Sequence, residues 1–119
     1  LTDDLRISIT DFKKLSYKKF KKPIIDSNFK VKIQFMKNKN NIIELIKPSP
    51  NNYGLINLLK KKNYAYHFAY KVNNLEKTIF KLKKKFKLVV NPTPAKAFNN
   101  KKVAFFTISD GFVIELIQS

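Results

Sequence analysis

Histidine and glutamate are scarce in this chain, with one His and three Glu among 119 residues. Two of the glutamates stand at the same point of a repeated tetrapeptide, Ile43-Glu44-Leu45-Ile46 and Ile114-Glu115-Leu116-Ile117, 71 positions apart. Alternation along a strand puts Glu44 on a face with Ile42 and Ile46, and Glu115 on a face with Val113 and Ile117. Each carboxylate is therefore set into an apolar strand. An ionised carboxylate withdrawn from water without a partner is strongly disfavoured, so each must meet a cation, a proton or a hydrogen-bonding cavity. His67 lies in the stretch Tyr64 to Val72, where alternation separates Tyr66, Phe68 and Tyr70 from Ala65, His67 and Ala69. Small neighbours around the imidazole leave room for a ligand. A histidine with two carboxylates is a hard-to-borderline donor set suited to Zn, Ni, Co, Mn or Fe(II). The plainer readings are a carboxylate answered by a nearby lysine and a structural histidine with its hydrogen bonds satisfied.

Other chemistries are poorly provided for. The chain has no cysteine, which excludes disulfides, thiolate nucleophiles and Cys-ligated metals. Its two glycines, Gly54 and Gly111, form neither a phosphate-cradling loop nor a nucleophile elbow. Lys and Arg number 25 against 8 Asp and Glu, a formal net charge of +17. Such a charge invites a nucleic-acid reading, yet the bases are lysines with the single exception of Arg6, and bidentate phosphate and base-edge contacts favour arginine. Runs such as Lys60-Lys61-Lys62 and Lys83-Lys84-Lys85 fall at the ends of predicted helices, where positive charge suits the helix dipole. A solvated lysine coat is the expectation, with a rim able to attract an anionic ligand. No apolar run approaches the ~20 residues of a membrane span, and the chain opens on Leu1-Thr2-Asp3-Asp4, so a soluble cytoplasmic protein is expected.

The elements that must position these residues come in a repeat. Leu5, Ile9 and Phe12 match Leu75, Ile79 and Leu82 at an offset of 70, the spacing of one apolar helical stripe. Asp3 or Asp4 is expected to cap the first helix, and Asn73 or Asn74 the second, with Glu76 as capping-box partner of Asn73. Strands are predicted at 17–22, 30–36 and 42–47, and again at 64–72, 86–90, 102–108 and 112–118, with Ser109-Asp110-Gly111 as the last turn. Residues 48–63 read as a linker carrying a short helix from Tyr53. The expected organisation is one domain, 1–119, of two modules, 1–47 and 64–119. The first module lacks a counterpart to the 64–72 strand, because the position matching His67 falls upstream of Leu1.

In the order and spacing of Ile42 to Pro48, Tyr66 to Val72, Pro94 to Phe106 and Phe112 to Ile117, the sequence resembles the vicinal oxygen chelate superfamily. The likeness covers nearly the whole chain and is greatest to its methylmalonyl-CoA epimerase-like and lactoylglutathione lyase-like members. It implies an α+β fold of two βαβββ modules forming a curled mixed or antiparallel sheet around a cleft, the first module lacking its first strand here. Carried over by position, it implies a divalent metal held by Glu44, His67 and Glu115, with Glu115 also the catalytic base. The fourth ligand of the family, a His on the first module's first strand, has no matching position. Gln34, on the side of its strand with Lys30 and Lys32, is a substrate-binding candidate. The implied activity is that of a metal-dependent isomerase, epimerase or lyase acting on a small oxygen-chelating, anionic or thioester substrate, in a possible homodimer. A metal-free binding module on the same fold is the alternative, and a basic nucleic-acid-binding protein the third reading.

Overall fold

Each α-helix begins at a side chain that answers otherwise unpaired amides. Asp4 Oδ1 accepts from the N–H groups of Arg6 and Ile7 at 2.9 and 3.3 Å and starts α1, Leu5–Lys14. Asn52 Oδ1 accepts from Leu55 N–H and starts α2, Tyr53–Lys60, while Asn74 Oδ1 accepts from Lys77 N–H and starts α3, Leu75–Leu82. The expected pairing of Asn73 with Glu76 does not form, because the cap is one residue later. Gln118 takes its place as a clamp. Its Oε1 accepts from Leu75 N–H at 2.8 Å and its Nε2 donates to the Asn73 carbonyl at 2.9 Å.

The computed structural model describes residues 1–119 and divides them into two units, Leu1–Ala65 and Tyr66–Ser119. In the first unit, β1 (Lys18–Asp26), β2 (Val31–Asn38) and β3 (Asn41–Pro48) form an antiparallel sheet in that order. Leu5, Ile9 and Phe12 of α1 pack on Met36, Ile43 and Leu45, so one sheet face is sealed by the helix. Glu44 belongs to the other face. In the second unit, β4 (His67–Val72), β5 (Lys87–Ala95), β6 (Lys101–Thr107) and β7 (Val113–Gln118) form a sheet of order β4-β7-β6-β5. β4 runs parallel to β7 and the other pairs are antiparallel. Leu75, Ile79 and Leu82 of α3 pack on Ala104, Phe106 and Leu116, as the repeat predicted. The architecture is α+β, with αβββα in the first unit and βαβββ in the second.

Two strands run through prolines beyond their predicted ends. β1 continues through Pro23 to Asp26, and β5 through Pro92 and Pro94 to Ala95. Proline removes a ladder donor, which argues against a central strand, but both strands are sheet edges and both carry register shifts at the proline. β4 begins at His67 rather than Tyr64. Beside β3, Thr2 N–H donates to the Ile46 carbonyl at 2.9 Å, the flank of the strand that β4 occupies on β7. All 24 lysines are exposed, as a solvated coat requires. No helix is long and apolar enough to cross a membrane.

Candidate metal centre

Glu115 sits in β7 with Ala69 of β4 as its register partner on one side and Phe105 of β6 on the other. It is 4% exposed. Ala69 is too short to cover the carboxylate, and His67, on the same face of β4, reaches it instead. His67 Nε2 lies 3.3 Å from Glu115 Oε2, with both side chains almost wholly buried. The imidazole is flanked edge-on by Tyr66, ring centroids 4.4 Å apart, and by Phe105 at 5.7 Å. These contacts fix the ring plane and keep bulk water from the pair.

The donor atoms fit a divalent ion. One ion bonded to both at about 2.1 Å would hold them roughly 3.0 Å apart at a right-angled coordination geometry and roughly 3.4 Å apart at a tetrahedral one. The observed 3.3 Å lies between these values. The same geometry also serves an imidazolium–carboxylate ion pair when the histidine is protonated. Burial makes either arrangement stronger than it would be in water.

Glu44 occupies the matching place in the first unit. It is half-buried in β3, and its register partner on β2 is Phe35, just as Phe105 is the partner of Glu115. A phenylalanine thus faces each carboxylate across the sheet. The repeat offset of 70 relates Phe35 to Phe105, a signal present in the sequence though neither residue is charged.

Gln34 departs from expectation. Its register partner is Leu45, which places it on the α1 side of the sheet, opposite to the face of Glu44, and it is 0% exposed rather than on a polar strand side. At the repeat offset it corresponds to Ala104, a core residue under α3. Its amide works inward. Nε2 donates to the carbonyls of Lys21 at 3.0 Å and Phe35 at 2.9 Å.

The fold and this pair of buried donors define a two-module α+β protein with the ligand types of a divalent metal site. Residues 2–105 match the family profile of the Glyoxalase/Bleomycin resistance protein/Dioxygenase superfamily, and the chain belongs to that superfamily. Solved structures agree on the fold. Methylmalonyl-CoA epimerase from Mycobacterium tuberculosis matches with a TM-score of 0.85 at 18% identity, over 98% of this chain and 81% of that one. A hypothetical protein from Bacillus halodurans matches at 0.82 and 20% identity, over 99% and 88% of the two chains. Streptomyces coelicolor methylmalonyl-CoA epimerase in complex with 2-nitronate-propionyl-CoA matches at 0.82 and 14% identity, over 98% and 89%. No curated protein matches the sequence.

Proposed function

We propose that the chain is a divalent-metal-dependent isomerase, epimerase or lyase that moves a proton on a small oxygen-chelating or thioester substrate. The observation that carries the reading is the buried approach of His67 Nε2 to Glu115 Oε2 at 3.3 Å. His67 and Glu115 would hold the ion, and Glu44, the carboxylate at the matching place of the first unit, is the further ligand that the family resemblance implies, a set of one imidazole nitrogen and two carboxylate oxygens. When bound, a divalent ion supplies Lewis-acid polarisation of a substrate carbonyl, which acidifies the adjacent C–H. Glu115 takes that proton on Oε1 while Oε2 stays directed at His67, and in an isomerisation the protonated carboxyl returns it to the neighbouring carbon on the same face; in an epimerisation Glu115 serves one face only, and the proton that reaches the opposite face comes from a second acid or from solvent. Phe105 and Tyr66 exclude water from the imidazole, which preserves the basicity of the carboxylate beside it. The epimerases of like fold suggest a CoA thioester as the first substrate to try.

The test is divalent-metal stoichiometry by elemental analysis after exhaustive dialysis. About one ion per chain, lost in Glu115→Gln, is the expected result. A protein that holds no ion yet binds acyl-CoA equally well before and after Glu115→Gln would instead be a metal-free binding module, a reading favoured by the ability of His67 and Glu115 to pair with each other directly.

A further inference from the structure

Lys21 interrupts β1 in a conformation that its side chain does not favour. Its φ is 68°, in the left-handed region that residues with a Cβ avoid, and it falls in the register shift between Phe20 and Ile24. Gln34 holds it there. The Gln34 Nε2 lies between two carbonyl acceptors, Lys21 O and Phe35 O, so the amide nitrogen and not the oxygen must occupy that point. The consequence is seen at the other end of the lysine. Its Nζ stands 5.1 Å from the ring centroid of Phe35 and 5.7 Å from that of Phe20, and Lys37 Nζ stands 5.0 Å from Phe20. Phe20, Phe35 and Glu44 form one row across the sheet by register.

Two ammonium groups therefore rest on the aromatic row that leads to Glu44. A ring face holds an ammonium in place and replaces part of its hydration shell with carbon, leaving N–H donors ready for an anionic oxygen. The lysines over Phe80, Lys83 and Lys84, differ in setting: their ring is 57% exposed, whereas Phe35 is 4% exposed. We propose that Lys21, positioned by Gln34 and joined by Lys37, binds the oxyanion end of a small substrate, a carboxylate or a phosphate, on the Glu44 face of the first sheet. This deepens the enzymatic reading, on which it rests for the identity of the substrate, by requiring that substrate to be an acid.

The experiment measures binding of two probes, malonate and pyrophosphate, to the full chain without added metal by calorimetry. Salt at about 0.15 M screens diffuse attraction to the lysine coat beyond roughly 8 Å. The variant is Lys21→Gly and its control Lys39→Gly. Both remove one charge, and both relieve a positive φ, 68° at Lys21 and 52° at Lys39. Lys21→Gly is expected to weaken binding of at least one probe about tenfold while Lys39→Gly changes it less than about twofold, with thermal stability kept or raised in both. Loss for malonate alone identifies a carboxylate site and loss for pyrophosphate alone a phosphate site. Equal weakening by the two variants, or no binding by the unaltered protein, overturns the proposal. Gln34→Leu, with Lys21 intact, is expected to weaken the same probe while far-UV circular dichroism is retained, and Lys21→Arg to restore binding. Unchanged affinity in a folded Gln34→Leu protein overturns the positioning role, and should that variant fail to fold, the glycine pair still decides. Because no metal is present, a failure of metal binding and a failure of this site give different results.

Discussion

The two units meet the same local problem and solve it differently. In each, the edge strand carries extra residues opposite a single residue of its neighbour: Lys21 to Pro23 opposite Gln34, and Asn91 with Pro92 opposite Ala104. The first unit answers with a buried amide that reaches the edge carbonyl of Lys21, and the second with a methyl group packed beneath α3. The difference shows what a polar residue in a core position is for. Gln34 could not be retained by packing alone, since Ala104 fills the equivalent site, and its hydrogen bonds are spent on the shape of β1. That shape sets the cation of Lys21 over Phe35. In the second unit the corresponding chemistry is supplied from β4, whose His67 reaches Glu115.

The comparison can be broken at the carboxylates first. Glu115→Gln is expected to weaken binding of a divalent ion at least about 100-fold in competition with a chromophoric chelator, because its Oε2 stands 3.3 Å from His67 Nε2, and Glu44→Gln about 10-fold. Equal losses would mean that the units contribute alike. The next largest effect is Ala104→Gln. A buried amide introduced without the Lys21 carbonyl to receive it should cost about 2–4 kcal/mol in urea unfolding, through overpacking and unsatisfied polar atoms. A neutral outcome would show that β5 can supply a carbonyl as β1 does. Gln34→Ala is the smaller reciprocal, expected to cost about 1–3 kcal/mol as the part-buried Lys21 carbonyl and the buried Phe35 carbonyl lose the bonds from Nε2. A stabilised protein would mean that the buried Gln34 Oε1, which accepts no hydrogen bond, outweighs both bonds made by Nε2.

Much of this was legible in the chain because a repeat reports on itself. The stripes Leu5-Ile9-Phe12 and Leu75-Ile79-Leu82 sit where their spacing put them, and the tetrapeptides around Glu44 and Glu115 are the last strands of their units. Strand ends were less legible. Pro23, Pro92 and Pro94 look like terminators until the sheet order shows that their strands are edges, and that order is a property of long-range pairing. Gln34 is hard to place from sequence for a related reason. Its neighbours Lys30 and Lys32 suggested a solvated face, but Met36 two residues later belongs to the core under α1, and alternation alone could not say which neighbour to follow. The αL conformation of Lys21 has no sequence signature at all, because lysine is not a residue that favours it.

The prolines of the two edge strands bear on how the protein survives at high concentration. A sheet grows by offering N–H and C=O groups to an incoming strand, and fibres form when such growth does not stop. β1 and β5 present a pyrrolidine ring and a kinked backbone where a partner would need donors. Runaway polymerisation is thus blocked at one end of each sheet by covalent structure, independent of salt, pH or the lysine coat. The burden of remaining dispersed falls on β4, the other end of the second sheet, where Phe68 and Tyr70 are exposed.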